Sequence, residues 1–581
     1  MSYDRRAFVE YFASAGLGST LLPGALWSRI TGGEDITAQT VACAEEMAGL
    51  VFTEEERAMM VDGLKQQAQR IGALHKVVIP NSVAPAIIFN PLPPGVTPGS
   101  GARSRAPARS PRMVRSRVPA RGRPDNLDEL AFLPVTELSE LVRKRKVSST
   151  ELTDMYLARI RKYNPVLQCV ITVTEELARK QAREADKEIA RGKYRGPLHG
   201  IPWGAKDLLA TKGYLTTWGA GPYKTQTIDA DAEVVRRLEA AGAVLVAKLT
   251  LGELAQGDNW FGGITKNPWK LDQGSSGSSA GPASATAAGL VGFSIGSETL
   301  GSISSPATRC GITGLRPTFG RVPRTGAMAL SWTMDKLGPL CRSVEDCALV
   351  FDAIHGPDGQ DPTAVDAPFA WDATVKPASL RVGYVKAAFD LPAVDPKDEK
   401  RNLHPTKPFD DATLEVLRSM GVKLIPVELP DIPYDAMRII LTAEAAAAFD
   451  SLTRSDRDSE LVQQGKNDWA NTFRTARFIP AVDYVNANRL RTITIAKWHE
   501  LMQTVDVIVT PTSASGLSQL VATNLTGHPA VILPHGFRAD GTPVSITFLG
   551  GLYEESKLLA LANAYQLATT FHLKRPVLPV G

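Results

Sequence analysis

Cysteine is scarce in this 581-residue chain. The five present, Cys43, Cys169, Cys310, Cys341 and Cys347, are irregularly spaced and include no CxxC pair. That excludes a disulfide framework and leaves no zinc-site spacing. Histidine is sparse too, with eight residues, and none stands in a motif of serine–histidine catalysis; His528 and His535, near the C-terminus, read as structural. No apolar run approaches the roughly 18–20 residues of a membrane-spanning helix, so stable membrane insertion is not expected. Acid is missing from one stretch: between Arg103 and Arg123 lie eight arginines and no Asp or Glu. Setting those eight aside turns the formal net charge of +4 into −4, so the remainder is mildly acidic. A nucleic-acid surface built into the fold is not indicated.

Apolar residues are plentiful at 44%, enough to bury a large core. The N-terminus, "MSYDRRAFVEYFASAGLGSTLLPGALW", has paired Arg5 and Arg6, then Phe8, then an uncharged stretch from Tyr11 to Trp27. That order reads as a twin-arginine-type export signal over residues 1–30, and with it a bacterial periplasmic or secreted protein. Asp4 stands where Ser or Thr is typical, and no clear A-x-A cleavage site follows. The alternative is a plain amphipathic first helix. Residues 31–89 read as a small helical segment, with Thr53 and Glu56 spaced as a capping box. Residues 90–126 are rich in Pro, Gly, Ser and Arg without periodicity, and read as a solvated linker.

From residue 127 to 581 helices alternate with short apolar strands. "DAEVVRRLEAAGAVLVAKL" is a helix, a stop at Gly242 and a buried strand; "DDATLEVLRSMGVKLIPVEL" repeats that grammar, and "TVDVIVTPT" is another buried strand. The expectation is an α/β domain, a large mixed sheet with helices on both faces.

The chemistry concentrates in "QGSSGSSAGPASATAAGLVGFSIGSETLGSISSP", residues 273–306, with ten serines and seven glycines. A flexible linker would be polar throughout, whereas this stretch runs straight into an apolar segment. Gly277–Gly281 matches the G-x-S-x-G pattern of a nucleophile elbow, but "NPWKLDQG" before it is not the buried strand an elbow needs. A serine-rich cradle without histidine needs another base. Lys206 in "LHGIPWGAKDLLA" follows residues expected to be buried, and a desolvated lysine gives up its proton readily.

These residues carry a resemblance. From about Leu127 to Pro576 the chain resembles the amidase signature family, through "GIPWGAKD", "NPWKLDQGSSGSSAGPASATAAGL", "GSETLGSISSPATRCGITGLRPTFGRVPRTG", "DKLGPLCRSVEDCALVFDAI" and "VDVIVTPT", in that order. The resemblance implies a Ser–cis-Ser–Lys triad with Lys206 as base and Ser302 as nucleophile. For the bridging serine "GSSGSSAG" offers two frames, Ser275 and Ser278. Counting back from Gly289, and the family's spacing of 24 residues to Ser302 rather than 27, favour Ser278, preceded by a cis peptide. The N–H groups of Thr299, Leu300, Gly301 and Ser302 would form the oxyanion hole. Three positions depart from the family pattern: Glu298 replaces Asp, Leu300 replaces Gly, and Ser304 replaces Arg. The expectation is that the family's acid–Arg ion pair is absent and the wall beside the nucleophile bulkier.

The implied activity is hydrolysis of an amide through an acyl-enzyme, with no metal or organic cofactor. Trp203, Trp218 and Trp332 are candidates to line an apolar substrate funnel, against the reading that each is core. The expected partner is a small-molecule amide, of aryl or acyl type, with a carbamate or oligomeric amide within the same chemistry; a homo-oligomer is compatible with the sequence. Two alternatives stand beside this: the glutaminase subunit of a tRNA-dependent amidotransferase, and a non-catalytic binding protein on the same fold.

Overall fold

The computed structural model describes residues 36–48, 52–74, 81–83, 87–93, 96, 113–516 and 518–579. The export-signal reading of residues 1–30 lies outside the described residues. Among the described residues, two helices precede the main domain, α1 (Ala38–Ala48) and α2 (Glu54–Leu74). At the start of α2 the Thr53 N–H donates to the Glu56 carboxylate at 2.7 Å and the Glu56 N–H donates to Thr53 Oγ1 at 3.2 Å, the reciprocal pair of a capping box.

The core is one eleven-stranded mixed sheet. In chain order its strands are β1 (Val170–Val173), β2 (Pro202–Lys206), β3 (Val244–Leu249), β4 (Phe293–Glu298), β5 (Thr313–Arg316), β6 (Lys336–Cys341), β7 (Val382–Val385), β8 (Leu424–Val427), β9 (Val507–Pro511), β10 (Ala530–Phe537) and β11 (Pro543–Gly550). Across the sheet they run β1-β3-β2-β4-β6-β5-β10-β11-β9-β7-β8. Strands β3, β2 and β4 are mutually parallel, as are β9, β7 and β8; the other neighbours pair antiparallel. Every residue of β2, β3, β4, β6 and β11 is buried. Successive strand residues point to opposite faces, so both faces of the sheet centre are covered. The covering helices include α3 (Ser149–Leu167), α4 (Ala280–Ala287), α5 (Ser304–Cys310), α6 (Gln519–Thr526) and α7 (Glu555–Thr569). Among the described residues no helix is long and apolar enough to cross a membrane.

The strands read from sequence fall where the apolar runs lie. Gly242 takes φ +81° between a helix ending at Ala240 and β3, a conformation that side-chain-bearing residues rarely adopt. "NPWKLDQG" does contain a strand, Lys270–Gly274, but it is only partly buried and pairs in a two-stranded ribbon apart from the main sheet. It offers no support of the kind an elbow requires.

Candidate active site

Lys206 is the last residue of β2, and Glu298 ends the neighbouring parallel strand β4. Parallel neighbours end at the same edge of the sheet, so the lysine and the loop after β4, which carries Ser302, open on one side. Crevices at strand carboxyl ends are where open α/β sheets bind ligands. Ser278 arrives from the other direction, just before α4, a helix whose eight residues are all buried. The helix is built of Ala, Gly, Ser, Thr and Pro282, small enough to pack against the sheet without holding the serine away from it.

The Lys206 side chain is fully buried, and among the described residues its amine bonds to Ser278, Ser279 and Ser297. Its Nζ lies 2.8 Å from Ser278 Oγ, 3.1 Å from Ser279 Oγ, 2.9 Å from Ser297 Oγ and 3.5 Å from the Ser297 carbonyl. Ser279 donates its own hydroxyl to the Ser297 carbonyl at 3.0 Å and accepts the Ser297 N–H at 3.1 Å, so toward Lys206 it serves as an acceptor. Burial pulls the lysine pKa well below its usual value of 10.5, with Asp335 and Glu298 opposing. The Gly277–Ser278 peptide is cis. Gly277 packs so closely that a Cβ there would lie 1.7 Å from the Gly257 carbonyl oxygen. The other frame, Ser275, is turned away and donates to the Ser276 carbonyl at 2.9 Å.

Ser302 is 8% exposed. Its carbonyl accepts the Ser279 N–H at 3.0 Å, which ties the Ser302 loop to the Ser278 segment. Among the described residues no hydrogen bond joins the Ser302 and Ser278 hydroxyls, so the side-chain contact runs from Lys206 to Ser278 and the link to Ser302 is through backbone. Among the described residues the N–H groups of Leu300, Gly301 and Ser302 also have no intramolecular acceptor. Gly301 holds φ +93°, which lets the loop turn these groups outward at no steric cost. The Thr299 hydroxyl donates to Asp335 at 2.5 Å, and the same carboxylate accepts the N–H groups of Leu330 and Ser331 at 2.8 and 2.9 Å. Burial raises the Asp335 pKa.

Ser304 cannot form the family's acid–Arg ion pair, but the structure gives Glu298 another arginine, which the sequence did not reveal. Glu298 pairs with Arg316 at 2.8 Å, both fully buried. Ser304 does replace the family's arginine, but the partner comes from the end of β5 instead. The other Glu298 oxygen accepts the N–H groups of Ile303 and Ser304 and the Ser304 hydroxyl, at 2.8–2.9 Å, and so clamps the loop around Ser302. Burial works most strongly against this carboxylate's charge, but Arg316, Lys336 and the Asn524 amide together outweigh it and bring the pKa down to about 2. Glu298→Gln leaves the Arg316 guanidinium buried without a counter-ion, and an amide cannot serve the arginine on one side and two N–H donors on the other without setting donor against donor. We expect a loss of about 3–5 kcal/mol in denaturant unfolding at neutral pH. A pKa lowered by folding contributes stability above the unfolded value of 4.5 that drains away as pH falls toward 2, so this variant also loses that part of the acid sensitivity. A loss under about 1 kcal/mol contradicts the clamp.

Of the three tryptophans, Trp332 lines the cavity beside Ser297 and Thr299. Trp203 lies on central β2, stacked on Phe293 with ring centroids 6.0 Å apart, and is core because both sheet faces are covered there. Trp218 packs on Tyr223 and Phe449 and is likewise core. The cavity, of about 300 Å³, opens beside Ser297 and Thr299 and is walled by Leu208, Met328, Leu330, Trp332 and Leu337. Its charged groups are committed: Arg324 is paired with Asp361 at 3.0 Å, and Asp335 takes the three hydrogen bonds described above. Sequence reasoning missed Ser279, Ser297 and Asp335; the first two stand beside Ser278 and Glu298 in the quoted stretch, while Asp335 carries no local signal.

A family model described as "Amidase" matches residues 151–520. The chain belongs to the amidase family. Among curated relatives, the A-subunit of the glutamyl-tRNA(Gln) amidotransferase of Methylococcus capsulatus is 34% identical over 76% of this chain and 98% of its own length. That of Roseiflexus sp. (strain RS-1) is 32% identical over 77% and 99%. Among solved structures, the peptide amidase of Stenotrophomonas maltophilia is 29% identical, with a TM-score of 0.66 over 77% of this chain and 99% of its own. The family match covers the Lys206, Ser278 and Ser302 positions and leaves residues 1–150 outside it.

Proposed function

We propose that this family member is a serine amidohydrolase that cleaves an amide carbon–nitrogen bond through an acyl-enzyme on Ser302. The observation that carries the reading is the buried Lys206 amine held 2.8 Å from Ser278 Oγ. A neutral amine has two N–H groups and one lone pair. Ser279 can only accept, and Ser297 offers further acceptors, which leaves the lone pair for the Ser278 hydroxyl. Ser278 then accepts a proton from Ser302 while passing its own to Lys206, and the Ser302 hydroxyl becomes nucleophilic as it attacks. The relay needs the Ser302 side chain to turn toward Ser278; catalytic hydrogen bonds often tighten only with substrate bound. Charge developing on the carbonyl oxygen is met by the unpaired N–H groups of Leu300, Gly301 and Ser302, together with Thr299, each worth about 3 kcal/mol in such a role. Asp335 and Glu298 favour the lysine ammonium formed in that step. The proton returns through Ser278 to the departing nitrogen, and water releases the acid.

The apolar cavity with its charges already paired favours an aryl or acyl amide. A second reading has its own support: the curated relatives named above belong to glutamyl-tRNA(Gln) amidotransferases, and each aligns over 98–99% of its length. In that reading the same triad takes glutamine, and the chain works with partner proteins. Ammonia and amine release from a panel of apolar amides, with glutamine included, separates the two. Turnover of apolar amides well above glutamine supports the amidohydrolase; glutamine alone supports the second reading; release from none of them contradicts both.

We also propose export through the paired Arg5 and Arg6. Replacing both with lysine is expected to hold the protein in the cytoplasm on cell fractionation, and an unchanged distribution contradicts this.

A further inference from the structure

Part of the cavity wall comes from outside the family match. Asn81 and Ser82 line the cavity beside Thr299, 69 residues or more before the first matched position, 151. Asn81 reaches Ala329, 248 residues further on, as a strand would: its Nδ2 donates to the Ala329 carbonyl at 2.8 Å and its Oδ1 accepts the Ala329 N–H at 2.8 Å. A second Nδ2 bond, at 3.4 Å, goes to the Ala448 carbonyl. Only a primary amide serves all three groups. Ala329 stands between Met328 and Leu330, two residues of the apolar wall.

A second anchor holds the same segment. Phe89 packs edge-on against Phe319 with centroids 5.0 Å apart, and the Arg491 guanidinium lies 3.5 Å over its ring. Arg491 in turn donates to the Thr333 hydroxyl and carbonyl at 2.8 Å each, next to Trp332 of the wall. Pro91 is buried, and both Phe89 and Pro91 lie close against Gly527. Asn81 is thus fastened directly to Ala329 of the wall, and Phe89 is held by Arg491, which itself bonds Thr333 beside the wall.

We propose that Asn81 is a specificity-determining residue: it closes one side of the substrate cavity and sets the length of the apolar arm the enzyme accepts. This rests on the cavity being the substrate site proposed above. The segment lies outside the family match over residues 151–520.

The test uses the full-length chain and a series of acetyl, butyryl, octanoyl and dodecanoyl 4-nitroanilides, with the anilide side lengthened in a parallel series. Asn81→Ala removes the plug. Asn81→Asp keeps its shape but cannot donate to the two carbonyls and sets a charge against them. In both variants, shown folded by circular dichroism, the ratio of kcat/KM for the longest member to that for the shortest is expected to rise about tenfold in one of the two series, the size of effect that a methylene or more of pocket space exerts. Turnover with an unchanged ratio in both series overturns the proposal. If wild type cleaves no member, the amidohydrolase reading fails, and the wall is then judged by calorimetry in the Ser302→Ala background with the same compounds. Longer members binding more tightly in the doubly substituted protein support the wall; no length-dependent gain, or no binding at all, overturns it.

Discussion

Ser302→Ala is expected to lower kcat on any amide the enzyme turns over by about 10⁴-fold or more, because it deletes the attacking atom and no neighbouring hydroxyl stands in its place. Ser278 is bonded to the lysine, Ser304 to Glu298, and Ser279 to the Ser297 carbonyl, so none is free to attack from the same position. The fold should be untouched, since the tie from this loop to the Ser278 segment is the Ser302 carbonyl accepting the Ser279 N–H, and alanine keeps that carbonyl. Equal unfolding midpoints with turnover lost is the expected pair of results. Near-normal turnover in clean protein removes Ser302 from the mechanism.

Lys206→Met is the second large effect. It removes the base in contact with Ser278, and general-base catalysis is worth about 10²–10⁴-fold. The pH profile discriminates a base from a structural prop. In the wild type the working form is the neutral amine, so kcat/KM should rise as pH increases through the folded-state pKa of Lys206 and level off above it. Burial places that pKa well below 10.5, so the plateau should be reached short of the usual lysine range. In Lys206→Met the residual rate should lose this rising limb. A variant that keeps the limb assigns it to another group. The same shift links to folding: between the folded and unfolded pKa values the unfolded chain holds the extra proton, so Lys206 makes the native state less stable as pH falls, and the methionine variant should be free of that dependence.

The catalytic stretch was legible in the sequence because its chemistry is local. Lys206, the two Gly-Ser-Ser frames and Ser302 sit in short, ordered blocks, and the alternation of apolar strands with helices pointed to the mixed sheet that carries them. The spacing argument for Ser278 over Ser275 matches where the amine is bonded: Lys206 contacts Ser278, while Ser275 caps the carbonyl of its own neighbour. What escaped was set by tertiary geometry. The loss of an arginine at position 304 removed the family's acid–Arg pair and gave no hint of a substitute, but β4 and β5 both flank β6, and Arg316 reaches the acid from the end of that second strand. Trp203 and Trp218 read at least as well as core as pocket, since a tryptophan's neighbours in sequence do not say what packs over it. Asn81 was invisible because its partners are 248 and 367 residues away, and a lone asparagine before an irregular stretch has no pattern to reveal a backbone-pairing role.

The proposed mechanism turns on a covalent bond to one oxygen atom, and intact-protein and peptide mass spectrometry observe it directly. Protein mixed with an excess of an activated acyl anilide and quenched in acid within the first turnover should carry one added acyl group. After digestion that mass should map to Ser302, and it should disappear in Ser302→Ala. An adduct on Ser275, Ser278 or another residue, or first-turnover anilide release from protein that never gains mass, contradicts the account.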